Sequence, residues 1–430
     1  MTPALSFGIT GDRLRVWGLR SGLSVMDQGV SSSASFLVNL CLARWLDSEA
    51  YGAFAVAFAT LAFLSYFHSA LLLEPMSIVG PAKYSLRMVS YFVIQLRLHC
   101  VLTALLSAIL LTVVAIMAAA GIETKLLAAI TGSALALPFL MLFWLARRMC
   151  YLVARPALAL WGSIGYLVLV GLGLLVLRNG RVLGSFSALV LMGAAGIPPV
   201  LFLLWQLGIF GGNSESFLWR EAILENWKYG RWLIASWMLL AASSQAQTYI
   251  VAGLMGLGAA GILRALQIPS LVMTQIVTAF GLMMLPSMAT EFGLGHIDAL
   301  RKKAMLTTGF LTVLSLANAA LLWVAAKPIE HLLYGGRYSS YAWLIPALAL
   351  VPVLTGFAMG LTMALRACQK PHFELLANAV AAPIGLGTAI IFIKMWGLGG
   401  AAVSLLLGYT ASAAVFLASF INSTHSRKMA

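Results

Sequence analysis

Asp27 stands inside an apolar stretch, whereas the other twelve acidic residues fall in the termini, the linkers or the ends of such stretches. A carboxylate placed in hydrocarbon costs about 2.5 to 3.5 kcal/mol on insertion scales, so it must face a wet cavity or meet a cation. Ser31, Ser35 and Asn39 follow it in steps of four and Gln28 sits beside it, which keeps one helix face polar along most of its length. As a titrating group Asp27 would exchange a proton or cation during a cycle; as a structural group it would pair permanently with Arg20 or Arg97. Arg264, Gln267, Thr274 and Thr278 make a second polar face, and Ser236, Ser243 and Gln247 a third. Three such faces are expected to meet around one cavity.

Other chemistry is excluded more simply. Cys41, Cys100, Cys150 and Cys368 lie in or beside apolar runs with no CxxC pair and no His at ligand spacing, so neither a disulfide framework nor a metal centre is expected. Gly256, Gly258 and Gly261 have no following GK[ST] sequence. They suggest a tight turn between helices, and no ATP site or other cofactor is expected. The chain is not expected to be an enzyme.

The elements that carry these residues follow from composition. Of 430 residues, 61% are hydrophobic and 9% charged, and the mean hydropathy is +0.96. A soluble fold needs far more charged surface, so the chain is an all-α polytopic membrane protein. Its net charge of +14 sits in short clusters between apolar runs, a pattern that sets membrane orientation and does not suggest nucleic-acid binding. Stretches of about twenty apolar residues predict twelve spans: 22–43, 52–73, 98–120, 126–146, 157–177, 187–207, 231–252, 262–287, 304–326, 341–364, 375–394 and 398–421. The linker 83–97 would add a short amphipathic helix on the membrane surface. The first apolar stretch has no cleavage site after it and is expected to remain as a span.

With a cytoplasmic N-terminus, nineteen of the 27 basic residues fall in inner segments and eight in outer ones. Both termini are therefore expected in the cytoplasm. On that topology Arg97 and His99 open the third span and Arg366 closes the tenth at the cytoplasmic rim, where they would capture an incoming headgroup or simply anchor the chain. Arg44 and Arg264 lie near outer helix ends, where they would line a solute's path or snorkel to headgroups. His68 and His99 suit hydrogen-bonded structural roles. Pro138, Pro198, Pro199, Pro269, Pro352 and Pro383 fall within spans and would bend them.

The chain also resembles itself. Ala43 and Gly52 match Ala252 and Gly261 at an offset of 209 residues, and "RRMCYLVARPALAL" entering span five matches "LRACQKPHFELLAN" entering span eleven at an offset of 215. Six spans separate the equivalents. An even number gives both halves one orientation, so the fold is expected to comprise two six-helix lobes, 1–212 and 213–430, related by a pseudo-two-fold axis along the membrane normal. The polar stretch 208–230, with Glu215, Glu221 and Glu225, is the expected junction.

The segments "LARWLDSEAYGAFAVAFA", "YGRWLIASWMLLAASSQAQTYIVAGLMGLGAAGILRALQIPS" and "LLYGGRYSSYAWLIPALAL" resemble those of Wzx-like polysaccharide flippases of the multidrug/oligosaccharidyl-lipid/polysaccharide exporter superfamily. The resemblance covers nearly the whole chain. It implies a V-shaped carrier in the bacterial inner membrane that moves polyprenyl-pyrophosphate-linked oligosaccharides to the outer leaflet, alongside polysaccharide polymerase and export machinery. Such a cargo needs cations and hydrogen-bonding groups along its path, since guanidinium replaces the water that phosphate oxygens lose. Two alternatives are a cation-coupled multidrug-type antiporter of the same superfamily and a non-transporting scaffold of a glycan-assembly complex. A drug exporter would concentrate carboxylates in its cavity, whereas this chain offers Asp27 against several arginines. A scaffold would have no need of polar stripes, although such stripes also hold helices together.

Overall fold

In hydrocarbon each backbone N–H and C=O must find its partner within the segment, so apolar runs of this length become helices. The computed structural model describes residues 11–211, 216–370 and 372–425. Among them the secondary structure is helical: α1 (Gly11–Trp45), α2 (Ser48–His68), a π-helical turn (Ser69–Leu73), α3 (Glu74–Lys83), α4 (Met88–Ala119), α5 (Thr124–Leu152), α6 (Pro156–Asn179), α7 (Ser185–Gln206), α8 (Ser216–Met255), α9 (Leu257–Gly293), α10 (Ile297–Val324), α11 (Ala326–Tyr334), α12 (Leu344–Leu348), α13 (Leu350–Ala367), α14 (His372–Trp396) and α15 (Leu398–His425). Each of the twelve expected spans falls on one helix, with α2 and α3 joined through the π turn and α12 and α13 through a slight break. Pro352 lies four residues after Leu348 and cannot donate to its carbonyl, which accounts for that break. Ten of these helices are long and apolar enough to cross a membrane. α1 and α8 fall short because they carry the polar faces.

The helices pack in the same pairs in both halves. α1 lies on α6 as α8 lies on α14, α4 on α5 as α10 on α13, α5 on α7 as α13 on α15, and α6 on α7 as α14 on α15. The halves meet chiefly where α2 crosses α9 and α8. At the first crossing a Cβ on Gly52 would lie 1.8 Å from the Leu257 carbonyl oxygen, and one on Gly261 would lie 2.3 Å from that of Ser48. Leu257 and Ser48 are themselves 209 residues apart, so the contact is reciprocal and the pseudo-two-fold axis passes through it. The second repeat is equally literal. Ala154 and Gln369, 215 residues apart, both take a left-handed φ of 57°. Each ends its helix through bonds from its own N–H and the next, to Tyr151 and Cys150 in one case and to Arg366 and Leu365 in the other.

Two expectations need correction. Residues 88–97 are the first turns of α4 and not a separate surface helix. The amphipathic extra helix is instead α11, with Glu330 and Tyr334 buried and Leu332 exposed. The expected junction is largely helical, since residues 216–230 are the start of α8, and the boundary between 212 and 213 lies outside the described residues. That start packs on α2, the π turn, α3 and α4 of the other half. Lys83 meets Glu221 and Glu225, Tyr84 donates to Glu225, and Gln95 and Asn226 exchange amide hydrogen bonds. Its far end returns to its own half, where Gln247 donates to the Ala401 carbonyl and Ser404.

Candidate functional site

α1 brings Asp27 against α5 and α6. Trp144, Arg147 and Tyr151 are spaced to share one face of α5, and Arg147 leans over the Phe143 ring at 5.6 Å. Its Nη2 donates to Asp27 Oδ2 at 2.6 Å and its Nη1 to Ser31 Oγ at 2.9 Å. The Tyr151 hydroxyl donates to the same Oδ2 and the Ser163 hydroxyl, from α6, to Oδ1. Asp27 is fully buried and Arg147 only 8% exposed. The partner of Asp27 is thus Arg147 and neither of the expected arginines: Arg97 is exposed on α4, and the side chain of Arg20 lies outside the described residues. The span expected from hydropathy ends at 146, one residue short of Arg147, yet α5 continues to Leu152. The recurrence of Trp144, Arg147 and Tyr151 on one helical face was the signal available in the sequence.

Arg147 forms one wall of a cavity of about 300 Å³ lined also by Gln28, Ser31, Ser32, Ser35, Ser65, Ser69, Leu73, Trp144 and Gln275. Hydroxyls and amides dominate, and the arginine in the wall is matched by the carboxyl behind it. The π turn after His68 places Ser69 and Leu73 on this wall; such single-turn π segments often accompany functional sites. The cavity lies toward the end of the bundle where α1 begins and α15 ends, which we call the terminal face. Toward the opposite, distal face it is overlain by the Thr60–Tyr249 hydroxyl contact at 2.9 Å and then by the Gly52–Gly261 crossing.

A second cavity of about 270 Å³ lies in the other half at the same depth, lined in part by Thr278, Thr362, Arg366, Asn378, Tyr409 and Phe416. Arg366 makes a bidentate pair with Glu374 there, at 2.9 and 2.7 Å. At the repeat offset of 215, Thr362, Arg366 and Asn378 stand where Arg147, Tyr151 and Ser163 stand in the first half.

The remaining candidates separate. Gln28, Ser31 and Ser35 line the first cavity. Asn39 does not: it is buried, bonds the Ser35 carbonyl and accepts from Tyr51. Gln247 is buried against α15. Arg264 is half-buried with its guanidinium 6.0 Å from the Phe58 ring, and Gln267 is half-buried outside both cavity walls. Arg44 is exposed and donates to the Leu332 carbonyl at 3.2 Å. His68 and His99 bond each other at 2.9 Å, both buried. The side chains of Ser236 and Ser243 lie outside the described residues. No group of acidic, His and Cys side chains among the described residues could hold a metal ion.

No family model matches the sequence, and no curated protein matches it either. Solved structures do. A multidrug resistance MATE family transporter of the MOP superfamily in its inward-facing conformation superposes with a TM-score of 0.80 over 94% of this chain and 99% of that one, at 12% identity. An outward-facing structure of such a transporter gives 0.65 over 96% of each chain at 14% identity. A Vibrio cholerae MATE transporter gives 0.64 at 16% identity over 96% of this chain and 98% of that one. The chain carries the two-lobed, all-helical fold of the MATE transporters.

Proposed function

We propose that the protein is an alternating-access secondary carrier that exports an amphipathic solute in exchange for protons or cations, as a MATE-type antiporter would. The observation that supports it best is the superposition over nearly the full length of a multidrug MATE transporter, joined to a polar cavity in the first half that Gln275 of the second half also lines. Asp27 is the coupling group in this reading. A proton on its carboxyl would cancel the charge that holds Arg147, freeing the guanidinium to turn into the cavity. Both termini are cytoplasmic and the membrane is the bacterial inner membrane.

A second reading, flipping of lipid-linked oligosaccharides, is favoured by the lining itself. Asp27 is matched by Arg147, and serines and glutamines form most of the wall, which suits sugar hydroxyls and phosphate oxygens better than an organic cation. Its partners would include the polysaccharide polymerase and export machinery. Purified protein in liposomes decides between them. Efflux of a cationic dye driven by an imposed proton gradient supports the antiporter; a fluorescent polyprenyl-pyrophosphate sugar changing leaflets, with no dye movement, supports the flippase. Movement of neither, by folded protein under a gradient, removes both.

A further inference from the structure

The two halves differ at the distal face. Between α4 and α5 the chain turns in four residues, Ala120–Glu123, whereas the equivalent connection between α10 and α12 holds α11 and a following loop, residues 325–343. This strap is built into its own half. The Tyr334 hydroxyl donates to the Ala265 carbonyl of α9 at 2.6 Å, the buried Glu330 carboxyl accepts the Tyr338 N–H at 2.7 Å, and the two tyrosine rings meet edge to face at 5.2 Å. Gly335 and Gly336, at φ 68° and 82°, reverse the chain after α11 in a conformation that favours glycine.

From this base the strap reaches the other half. Arg337 donates to the Leu46 carbonyl, the Tyr338 hydroxyl donates to that of Ala43 at 3.0 Å, and Arg44 donates back to the Leu332 carbonyl at 3.2 Å. The acceptors at Ala43, Leu46 and Leu332 lie at helix ends, where carbonyls lack an intrahelical partner and the helix dipole places negative charge. Burial pushes the Tyr338 phenol up to about 12, so it remains a donor at any working pH. These bonds join the two halves without burying an ion pair.

We propose that the strap, residues 325–343, is a latch: Arg337, Tyr338 and Arg44 hold the distal face shut, and their release lets that face open. The inference rests on the alternating-access reading above. Spin labels at Ile122 and Met395, exposed at the distal ends of the two halves, report distal opening by the distance between them; labels at Leu86 and Leu294 report the terminal face. The four native cysteines are first replaced. In Arg337→Ala the ratio of separated to close populations at the distal pair should rise about tenfold, as expected for losing a charge-assisted bond. Tyr338→Phe should raise it about threefold, and the terminal pair should shift the opposite way. Lys327→Ala, which removes a strap cation that makes none of these bonds, should leave both unchanged. If Arg337→Ala does not insert, Tyr338→Phe and Arg44→Gln decide on the same reading. Unchanged distal distances in these folded variants overturn the latch while the carrier reading stands. A wild-type protein that shows one distance at each pair from pH 5 to pH 8, with variants alike, removes the alternating-access reading and the latch with it.

Discussion

The Asp27 carboxyl accepts from Arg147, Tyr151 and Ser163 at once, so its variants should differ by what each leaves behind. Arg147→Ala strips the counter-charge from a fully buried acid and should cost about 3 to 5 kcal/mol, read as a lowered unfolding temperature in detergent. Asp27→Asn keeps an acceptor and removes the charge, so its outcome separates two roles. If Asp27 couples transport, that variant should insert and fold but lose its dependence on the proton gradient; if it serves only to hold α1, protein level falls instead. Full expression with wild-type transport, with and without a gradient, would exclude both roles. The isolation of Asp27 was legible in the sequence, because one acid in an apolar run has few explanations. Its partner was not, since hydropathy stops at the first charge while the α5 helix continues past it.

Among the elements, the α2–α9 crossing is the most exacting contact. Gly52→Ala or Gly261→Ala puts a methyl into a backbone carbonyl and should destabilise by at least about 1 to 3 kcal/mol. Gly253→Ala, where a Cβ meets open space, should be neutral or slightly stabilising. Thermal unfolding of the three variants checks this. The start of α2 is capped by Asp47, which accepts the Ala50 N–H at 2.8 Å. That bond, aided by Lys125, lowers the Asp47 carboxyl below its usual range. A lowered acid stabilises the fold above its unfolded value and loses the contribution as pH falls through the folded one. Asp47→Ala should therefore cost about 0.5 to 2 kcal/mol at neutral pH and progressively less as pH falls below the usual carboxylate range. The twelve helices and the two repeat offsets were readable because apolar length and a helix-ending turn before proline both leave marks in sequence. The start of α8 was not, because Glu221, Glu225, Lys228 and Arg231 give it the composition of a loop while Lys83 and Gln95 of the other half hold it in place as a helix.

For the whole molecule, the basic-residue asymmetry and an even number of spans predict that both termini lie in the cytoplasm. Reporter fusions at Ala430 and within residues 121–123 should give cytoplasmic and periplasmic signals respectively, and the reverse result would overturn the orientation. The architecture came through from sequence more fully than the site did, because lipid imposes one rule along every span while the cavity depends on which faces turn toward each other. The pairing of Asp27 with Arg147 also constrains how the protein is made. Those residues are 120 positions apart, so at roughly 5 to 20 residues per second the arginine leaves the ribosome about 6 to 24 seconds after the acid. During that interval the first helix, one of the two too polar to qualify as a span by composition, holds its carboxyl without a counter-charge. It must wait at the insertion machinery or the bilayer edge until the fourth crossing arrives, so the first four spans are expected to enter the membrane as one assembly.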